Sequence, residues 1–128
     1  MKENVEAFLR VLDPTDNSTG GGTASAVAGA MAAALVAMVA RLSIGKDGLE
    51  TEAFYRGLSA EAEALSAELF DGGHDDSEAF MAVRAAYRLP KDTDEEVSAR
   101  REEIQRATLQ ATHVPLANME RCWRVLEL

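Results

Sequence analysis

The most constraining feature of this sequence is an apolar segment whose residues surround a whole helix. No charged residue occurs from Asn17 to Ala40, and a helix that is apolar all round must be buried on every side. Small residues recur at every fourth position along one ridge of it, at Ser25, Gly29, Ala33 and Ala37. Such a ridge lets the backbone of a second helix approach closely. The pattern predicts a long buried helix from about Thr23 to Ile44, which Gly45 ends as a C-cap.

This helix needs a large apolar surface around it, and one short chain supplies that surface only in part. A chain of 128 residues is the size of one domain. We therefore predict a subunit interface along the helix. A membrane span is the alternative, but the segment opens with hydroxyl residues and three glycines and continues mostly with alanine, which drives insertion weakly. We predict no membrane span.

The rest of the chain shows helical rather than strand periodicity. The i, i+3, i+4, i+7 spacing of one helix face first occurs at Val5, Phe8, Leu9 and Leu12. Asp13-Pro14 ends that helix, because the residue before proline avoids the α region. No stretch alternates apolar and polar residues for long enough to make a strand. The sequence predicts an all-α fold, a bundle of about six helices that forms a single domain over residues 1–128.

A glycine-containing segment is expected to interrupt the middle of the chain. Asp71–Asp76 includes Gly72-Gly73 and should end a helix that begins near Glu50. Asp75 or Asp76 can then cap the next helix, which ends before Pro90.

A second interruption is expected in the last third of the chain. Thr93 followed by Glu96 has the pattern of a capping box, which opens a helix that reaches about Thr112. His113-Val114-Pro115 should separate that helix from a last one, which carries the apolar residues Leu116 to Leu126.

The overall charge limits the class of partner. Acidic residues outnumber basic residues 22 to 13, which gives a net charge of −9. A net acidic protein is poorly suited to nucleic acid or to an anionic membrane, whereas a local basic cluster can still hold a small anion. Cys122 is the single cysteine, which suits a reduced thiol in a reducing compartment. With no apolar signal-peptide core behind Met1, we predict a cytoplasmic location.

Three glycines directly before the long helix form the first candidate site. Backbone N–H groups and the helix dipole at Gly20, Gly21 and Gly22 suit an anion. A plain flexible turn explains the same residues equally well. The segment is neither a P-loop nor a dinucleotide fingerprint, because no Gly-Lys-Ser/Thr follows it and no strand precedes it.

The acidic segment Asp71–Asp76 is the second candidate. Most of its side chains fit a solvated helix cap, but one carboxylate at the start of an apolar helix can act as a general acid or base if burial raises its pKa. The spacing matches no metal-binding loop such as an EF-hand, and no Cys/His cluster suggests zinc. We predict no metal site.

Basic residues form the third candidate. Arg84, Arg88 and Lys91 are spaced by four and three residues, and Lys46 directly follows the long helix. Against a net charge of −9, these are local clusters that can hold a carboxylated ligand. Arg84 can equally pair with a surface carboxylate, which would contribute little to stability.

Taken in order, several segments resemble one family. They are Pro14-Thr15, Gly20-Gly21-Gly22-Thr23, Met38-Val39-Ala40-Arg41-Leu42, Gly45-Lys46, Asp76-Ser77-Glu78-Ala79-Phe80, Tyr87-Arg88-Leu89-Pro90-Lys91, Ile104-Gln105, Val114-Pro115-Leu116, Glu120 and Cys122. This series resembles the cyclodeaminase / methenyltetrahydrofolate cyclohydrolase family, whose domain also forms the C-terminal part of formiminotransferase-cyclodeaminase.

The resemblance implies an all-helical subunit that forms a homodimer and acts on a folate, with no cofactor besides that substrate. Family members close 5-formiminotetrahydrofolate to 5,10-methenyltetrahydrofolate with loss of ammonia, or hydrolyse the methenyl compound to 10-formyltetrahydrofolate. Both reactions need a shaped pocket and a group that moves protons.

The resemblance also implies roles for individual residues. Asp76 aligns with the family's acidic position before the Ala-Phe pair and would transfer the proton. Lys46, Arg88 and Lys91 would bind the glutamate carboxylates of the folate, of which there are often several, by charge-assisted hydrogen bonds. The glycines Gly20–Gly22 would let the pterin or the one-carbon unit approach the backbone.

Two departures from the family pattern set a second interpretation beside the enzyme. Asp16–Thr19 stands before the glycines and Thr23 replaces the usual serine. Family members also continue past the position of Leu128, so the resemblance implies a domain that lacks the C-terminal helices of the family. The alternative function is a catalytically inactive paralogue that forms a helical folate-binding or protein-interaction dimer.

Overall fold

A computed structural model of the chain describes residues 6, 9–13, 15 and 20–128. Three long helices account for most of them: α1 spans Gly21–Ser43, α2 spans Glu52–Ala86 and α3 spans Asp94–Glu127. A short 3-10 turn, Arg10–Leu12, precedes α1. Within these ranges there is no strand. The predicted all-α fold is therefore confirmed.

The three helices run antiparallel in sequence order. The first turn of α1 lies beside the middle of α2, since the Thr23 hydroxyl reaches Asp76. Further along, the Ser66 hydroxyl donates to the Ala30 carbonyl at 2.8 Å. On the other side of α2, Arg124 near the end of α3 binds Glu61 at 2.6 Å. The helix α2 continues past the start of α1, by about 15 Å from Asp76 to Ala86 at 1.5 Å per residue.

The small residues of α1 pack within the chain. Ala33 and Ala37 are buried, and a Cβ added to Gly29 would lie 2.6 Å from the Cys122 Sγ of α3 and 3.2 Å from a Leu69 methyl of α2. The core cluster of the bundle consists of Ala30, Ala33, Leu65, Leu69 and Val125. The small-residue ridge thus brings α2 and α3 of the same chain close to α1, rather than a second subunit.

The opposite side of α1 is uncovered, so the prediction of a helix buried all round is wrong for the single chain. We call this side the outer face; it consists of Met31, Leu35, Met38, Val39 and Leu42, which are 48 to 66% exposed. Two neighbouring helices cover only one side of α1. Among the described residues, α1 is also the one helix that is long and apolar enough to cross a membrane, a test that core helices of soluble proteins pass as well.

The expected break at Asp71–Asp76 does not occur, because α2 runs through it without interruption. Two adjacent glycines in a helix cost about 1 kcal/mol each relative to alanine, but here both are buried against neighbouring helices. A Cβ on Gly72 would lie 2.8 Å from the Asn118 Cγ, and one on Gly73 would lie 3.4 Å from the Thr23 carbonyl oxygen. Close packing at these positions offsets their low helix propensity. Asp76 is therefore not a helix cap.

The second expected break is also absent, because Pro115 lies inside α3. Proline removes one backbone hydrogen bond and disfavours a helix interior, yet the turns on both sides of it pack on α2. The described part of the chain therefore has fewer helices than the six predicted, because α2 and α3 each replace two predicted helices. The capping box at Thr93 and Glu96 is confirmed, with each residue binding the backbone N–H of the other at 3.2 Å.

The predicted end of the long helix is confirmed as well. Gly45 follows α1 with a φ of +70°, the left-handed conformation that glycine adopts without strain. Of the predicted first helix, Glu6 and Leu9 are helical and Arg10–Leu12 form a 3-10 turn, whereas Val5 and Phe8 lie outside the described residues.

Candidate functional site

Two of the predicted site elements meet where α1 begins. The Asp76 side chain, which is part-buried on α2, reaches across to the first turn of α1. The Thr23 hydroxyl donates to the Asp76 Oδ2 at 3.2 Å, across 53 residues of sequence. A Cβ added to Gly22 would lie 2.5 Å from that oxygen. The carboxylate therefore rests on the bare backbone of Gly22, where any larger residue would displace it.

The start of α1 explains why a carboxylate is stabilised at this position. Gly20 is the N-cap residue and has no side chain with which to bind the first N–H groups of the helix. A carboxylate near a helix N-terminus gains about 0.3–1 kcal/mol from the helix dipole. A Cβ on Gly20 would also contact Asp76, at 3.8 Å. The glycine segment thus packs against an acid, and of the two interpretations left open a bare turn does not describe it.

This contact changes what the glycine segment can bind. The sequence left an anion site open at Gly20–Gly22, but the Asp76 carboxylate already supplies a negative charge there. A second anion would be repelled by it. A cationic or hydrogen-bond-donating ligand is favoured instead.

The predicted basic residues do not join this site within one chain. Lys46 follows the far end of α1, which from Gly21 to Ser43 is about 33 Å long. Arg88 follows α2, about 18 Å along the helix axis from Asp76. Because α1 and α2 are antiparallel, Lys46 and the pair Arg88 and Lys91 lie at opposite ends of the bundle. The sequence grouped these residues by charge, which does not record helix direction.

Aromatic and arginine side chains fix the end of the bundle that carries Arg88. Arg100 of α3 donates to the Tyr87 carbonyl oxygen at 3.2 Å, and its guanidinium lies 5.7 Å from the centre of the Tyr87 ring. Arg84 lies over the Phe80 ring at 6.0 Å, rather than pairing with a surface carboxylate as the alternative interpretation had it. Arg88 and Lys91 are exposed, and neither forms an ion pair within the described part of the chain.

A spacious groove lies elsewhere, between α1 and α2. It has a volume of about 550 Å³ and an apolar floor that includes Val27 and Ala34. The ion pair of Arg41 with Glu63 closes one end of it. Asp76 does not line this groove, so it is separate from the contact between Asp76 and the glycines.

Comparison with known proteins places the chain in a family. The sequence model described as formiminotransferase-cyclodeaminase matches residues 4–128. The chain belongs to the formiminotransferase-cyclodeaminase family. Its members include folate one-carbon cyclohydrolases and cyclodeaminases, so the predicted family is confirmed.

Bacterial and mammalian members of the family are similar to this chain. Methenyltetrahydrofolate cyclohydrolase of Methylorubrum extorquens is 46% identical over 127 residues, which are 98% of this chain and 61% of that protein. Formimidoyltransferase-cyclodeaminase of Sus scrofa is 35% identical over 91% of this chain and 22% of that protein. The enzyme of the same name from Rattus norvegicus is 33% identical over 88% and 21%. The chain thus spans about three-fifths of the bacterial relative and about a fifth of the mammalian ones.

Sequence reasoning missed two polar residues near the site of this family member. Thr23 was noted only as a departure from the family pattern, although it is the hydroxyl that binds Asp76. Asn118 was not singled out; it is 5% exposed and binds the Gly72 carbonyl oxygen at 2.8 Å. A polar amide among the apolar positions of the last helix was the available signal. In the described ranges no group of three or more His, Cys, Asp or Glu could hold a metal ion.

Proposed function

We propose that this chain carries the acid–base site of a folate one-carbon enzyme. It would hydrolyse 5,10-methenyltetrahydrofolate to 10-formyltetrahydrofolate, or close 5-formiminotetrahydrofolate to the methenyl compound with loss of ammonia. The observation that carries the proposal is the Asp76 carboxylate seated on Gly22 and bound by Thr23. Membership of the family and the 46% identity to a methenyltetrahydrofolate cyclohydrolase support it.

The charge of the methenyl compound fits a carboxylate on a glycine surface. Its one-carbon bridge is a cation shared between N5 and N10, and Asp76 offers a negative charge that Gly22 and Thr23 hold in place. Water attacks the bridge carbon and gives its proton to Asp76. The proton then moves to N5 as the bond between the carbon and N5 breaks. The hydroxyl group on the carbon loses its proton to Asp76, which passes it to solvent, and the formyl group stays on N10. Proton transfer of this kind contributes about 100- to 10,000-fold to a rate.

The same residue suits the cyclodeaminase reaction. There N10 attacks the carbon of the cationic, protonated formimino group, and the departing nitrogen leaves as ammonia after it receives one further proton. A protonated Asp76 would supply that proton and would regain one from N10, so that the carboxyl group ends the cycle unchanged. Both reactions therefore use one carboxyl group, and no cofactor besides the folate is needed.

The basic end of α2 suits the other part of a folate. Arg88 and Lys91 follow the end of α2 at Ala86, which lies about 15 Å along the helix axis from Asp76, and a folate with several glutamates is an elongated ligand. Its one-carbon centre at Asp76 and its carboxylates at Arg88 and Lys91 would be held by one chain. Charge-assisted hydrogen bonds to carboxylates are about twice as strong as neutral ones.

We further propose that two copies pair through the outer face of α1. The outer face is uncharged and uncovered in the single chain, and exposed apolar patches of this kind mark interaction sites. Antiparallel pairing centred between Leu35 and Met38 would place Lys46 of the partner subunit beside the first two turns of α1. Lys46 would then complete the site from the second copy, although it lies about 33 Å from Asp76 in its own chain.

A charge on the outer face should separate the two copies. Leu35→Glu would bury two carboxylates near the centre of the pair, so we expect a dimer to become a monomer, as measured by sedimentation equilibrium. Leu109→Glu is the matched control, because Leu109 on α3 has the same exposure of 58%. It should leave the dimer intact. A Leu35→Glu protein with unchanged mass in solution would contradict this interface.

The proposed reactions are tested by following the absorbance of 5,10-methenyltetrahydrofolate. The signal should fall faster than in buffer when the chain is added to the methenyl compound, or should rise when it is added to the formimino compound. Silence in both assays from folded protein that still binds a folate would favour the alternative, a non-catalytic folate-binding dimer. The absence of nucleic-acid and anionic-membrane partners stays a prediction from the net charge of −9. A cytoplasmic location stays a prediction from the residues behind Met1.

A further inference from the structure

A buried amide connects α3 to the turn of α2 that precedes Asp76. Asn118 is 5% exposed, and its Nδ2 donates to the Gly72 carbonyl oxygen at 2.8 Å. Its Oδ1 accepts from the Arg121 guanidinium at 3.3 Å, and Arg121 also binds the Glu68 carboxylate at 2.9 Å. Because Arg121 can only donate, its bond to Oδ1 leaves Nδ2 as the atom that donates to the Gly72 carbonyl oxygen.

The bonded carbonyl lies one helical turn before Asp76. In an α-helix the carbonyl of residue i accepts the N–H of residue i+4, so the Gly72 carbonyl is the backbone acceptor of Asp76. That oxygen has two lone pairs and accommodates the Asn118 amide as well. A Cβ at Gly72 would lie 2.8 Å from the Asn118 Cγ. The glycine is thus needed for α3 to reach this carbonyl.

The same turn of α2 is also held from the side of α1. A Cβ at Gly73 would lie 3.4 Å from the Thr23 carbonyl oxygen, and the Thr23 hydroxyl binds Asp76. The helix α2 is therefore held by a hydrogen bond to α3 and by close backbone packing against α1 within one turn. Hydrogen bonds have preferred distances and directions. The bond from Asn118 therefore fixes the position of this turn along the α2 axis relative to α3.

We infer that Asn118 is a positioning residue for Asp76. By binding the Gly72 carbonyl oxygen, Asn118 would fix the position of Asp76 along the α2 axis and so its placement against Gly22. It touches neither the carboxylate nor a substrate. An apolar residue of similar size would fill the same space without fixing that position. The inference rests on the proposed function, in which Asp76 moves the proton, and a misplacement of 1 Å in such a site reduces a rate by about 100-fold.

Two substitutions at this position test the inference. Asn118→Leu removes the hydrogen bond, and Asn118→Asp keeps the acceptor for Arg121 while it replaces the donor that faces Gly72. In both we expect kcat for the methenyl compound to fall by about 10- to 100-fold, with KM changed by less than about threefold. In the same variants the ¹³C NMR signal of the Asp76 carboxyl group should shift.

The matched control is Val125→Ala. Val125 lies on the same helix, two turns further along α3. It is 7% exposed and belongs to the core cluster of the bundle. It should lower thermal stability while kcat and the Asp76 signal stay as in the wild type. If Asn118→Leu does not fold, Gly72→Ala is the second variant, because its added Cβ displaces the amide from the carbonyl and should give the same changes.

The outcomes separate this inference from the proposed function. Variants that keep both kcat and the Asp76 signal would overturn the role of Asn118 and leave it as a packing residue. If the wild-type chain acts on neither folate, the proposed function fails, but the NMR signal still shows whether Asn118 holds Asp76. A signal that moves equally in Val125→Ala would also overturn the inference, since any loss of packing would then suffice.

Discussion

Replacement of Asp76 by asparagine is expected to lower kcat for the methenyl compound by about 100- to 10,000-fold, the usual contribution of a general acid or base. The amide has nearly the same shape, and its oxygen can still accept from the Thr23 hydroxyl. It cannot take up a proton from water at neutral pH. Steady-state kinetics with the absorbance of the methenyl compound measure the change.

The neighbouring aspartate provides the control for this substitution. Asp75 is exposed and lines a groove between α2 and α3, away from the glycines. Asp75→Asn makes the same chemical change one residue away and should keep kcat within about twofold, by the usual behaviour of surface substitutions. Equal activity of Asp76→Asn and Asp75→Asn would remove Asp76 from the chemistry.

Replacement of Gly22 by alanine is expected to reduce kcat by about 100-fold through displacement of the carboxylate. The added Cβ would lie 2.5 Å from the Asp76 Oδ2, well inside contact distance. The carboxylate is the end of a rotatable side chain and can swing away, so the fold should persist. Alanine also favours the helix by up to about 1 kcal/mol, so the free energy of unfolding should change little while activity is lost.

The adjacent glycine separates the two effects. A Cβ on Gly21 has nothing within 4 Å, so Gly21→Ala should keep the activity of the wild type and its stability or slightly more. Chemical denaturation and kcat are measured on both variants. A Gly22→Ala protein as active as Gly21→Ala would show that the contact of Asp76 with the α1 backbone does not matter for turnover.

Short sequence patterns were enough to predict the all-α class and those helix ends that depend on neighbouring residues in the chain. The capping box at Thr93 and the left-handed Gly45 depend on residues a few positions apart, so both were predictable. The continuity of α2 through Gly72-Gly73 was not, because it depends on Asn118 and Thr23 lying against those glycines. Tertiary packing there overrides helix propensity.

The candidate site shows the same division. The residue types at Gly20–Gly22 and Asp76 suggested chemistry, but only the resemblance to a family joined them, and the contact that brings them together spans 53 residues. The placement of Lys46 and Arg88 at opposite ends follows from the antiparallel helices. Composition and charge spacing contain no information on helix direction, so the sequence could not show that these residues lie at opposite ends of one chain.

Some glycines in the three helices can be replaced without a steric clash, whereas others are needed for the helices to pack closely. In α2, Gly57 has nothing within 4 Å of an added Cβ, and alanine there should raise the melting temperature without touching the site. Gly29, Gly72 and Gly73 each face another helix at contact distance. Thermal stability and the alignment of the helices are therefore governed by different glycines. Exchange of every helical glycine for alanine would raise helix stability but would disrupt the alignment of the helices.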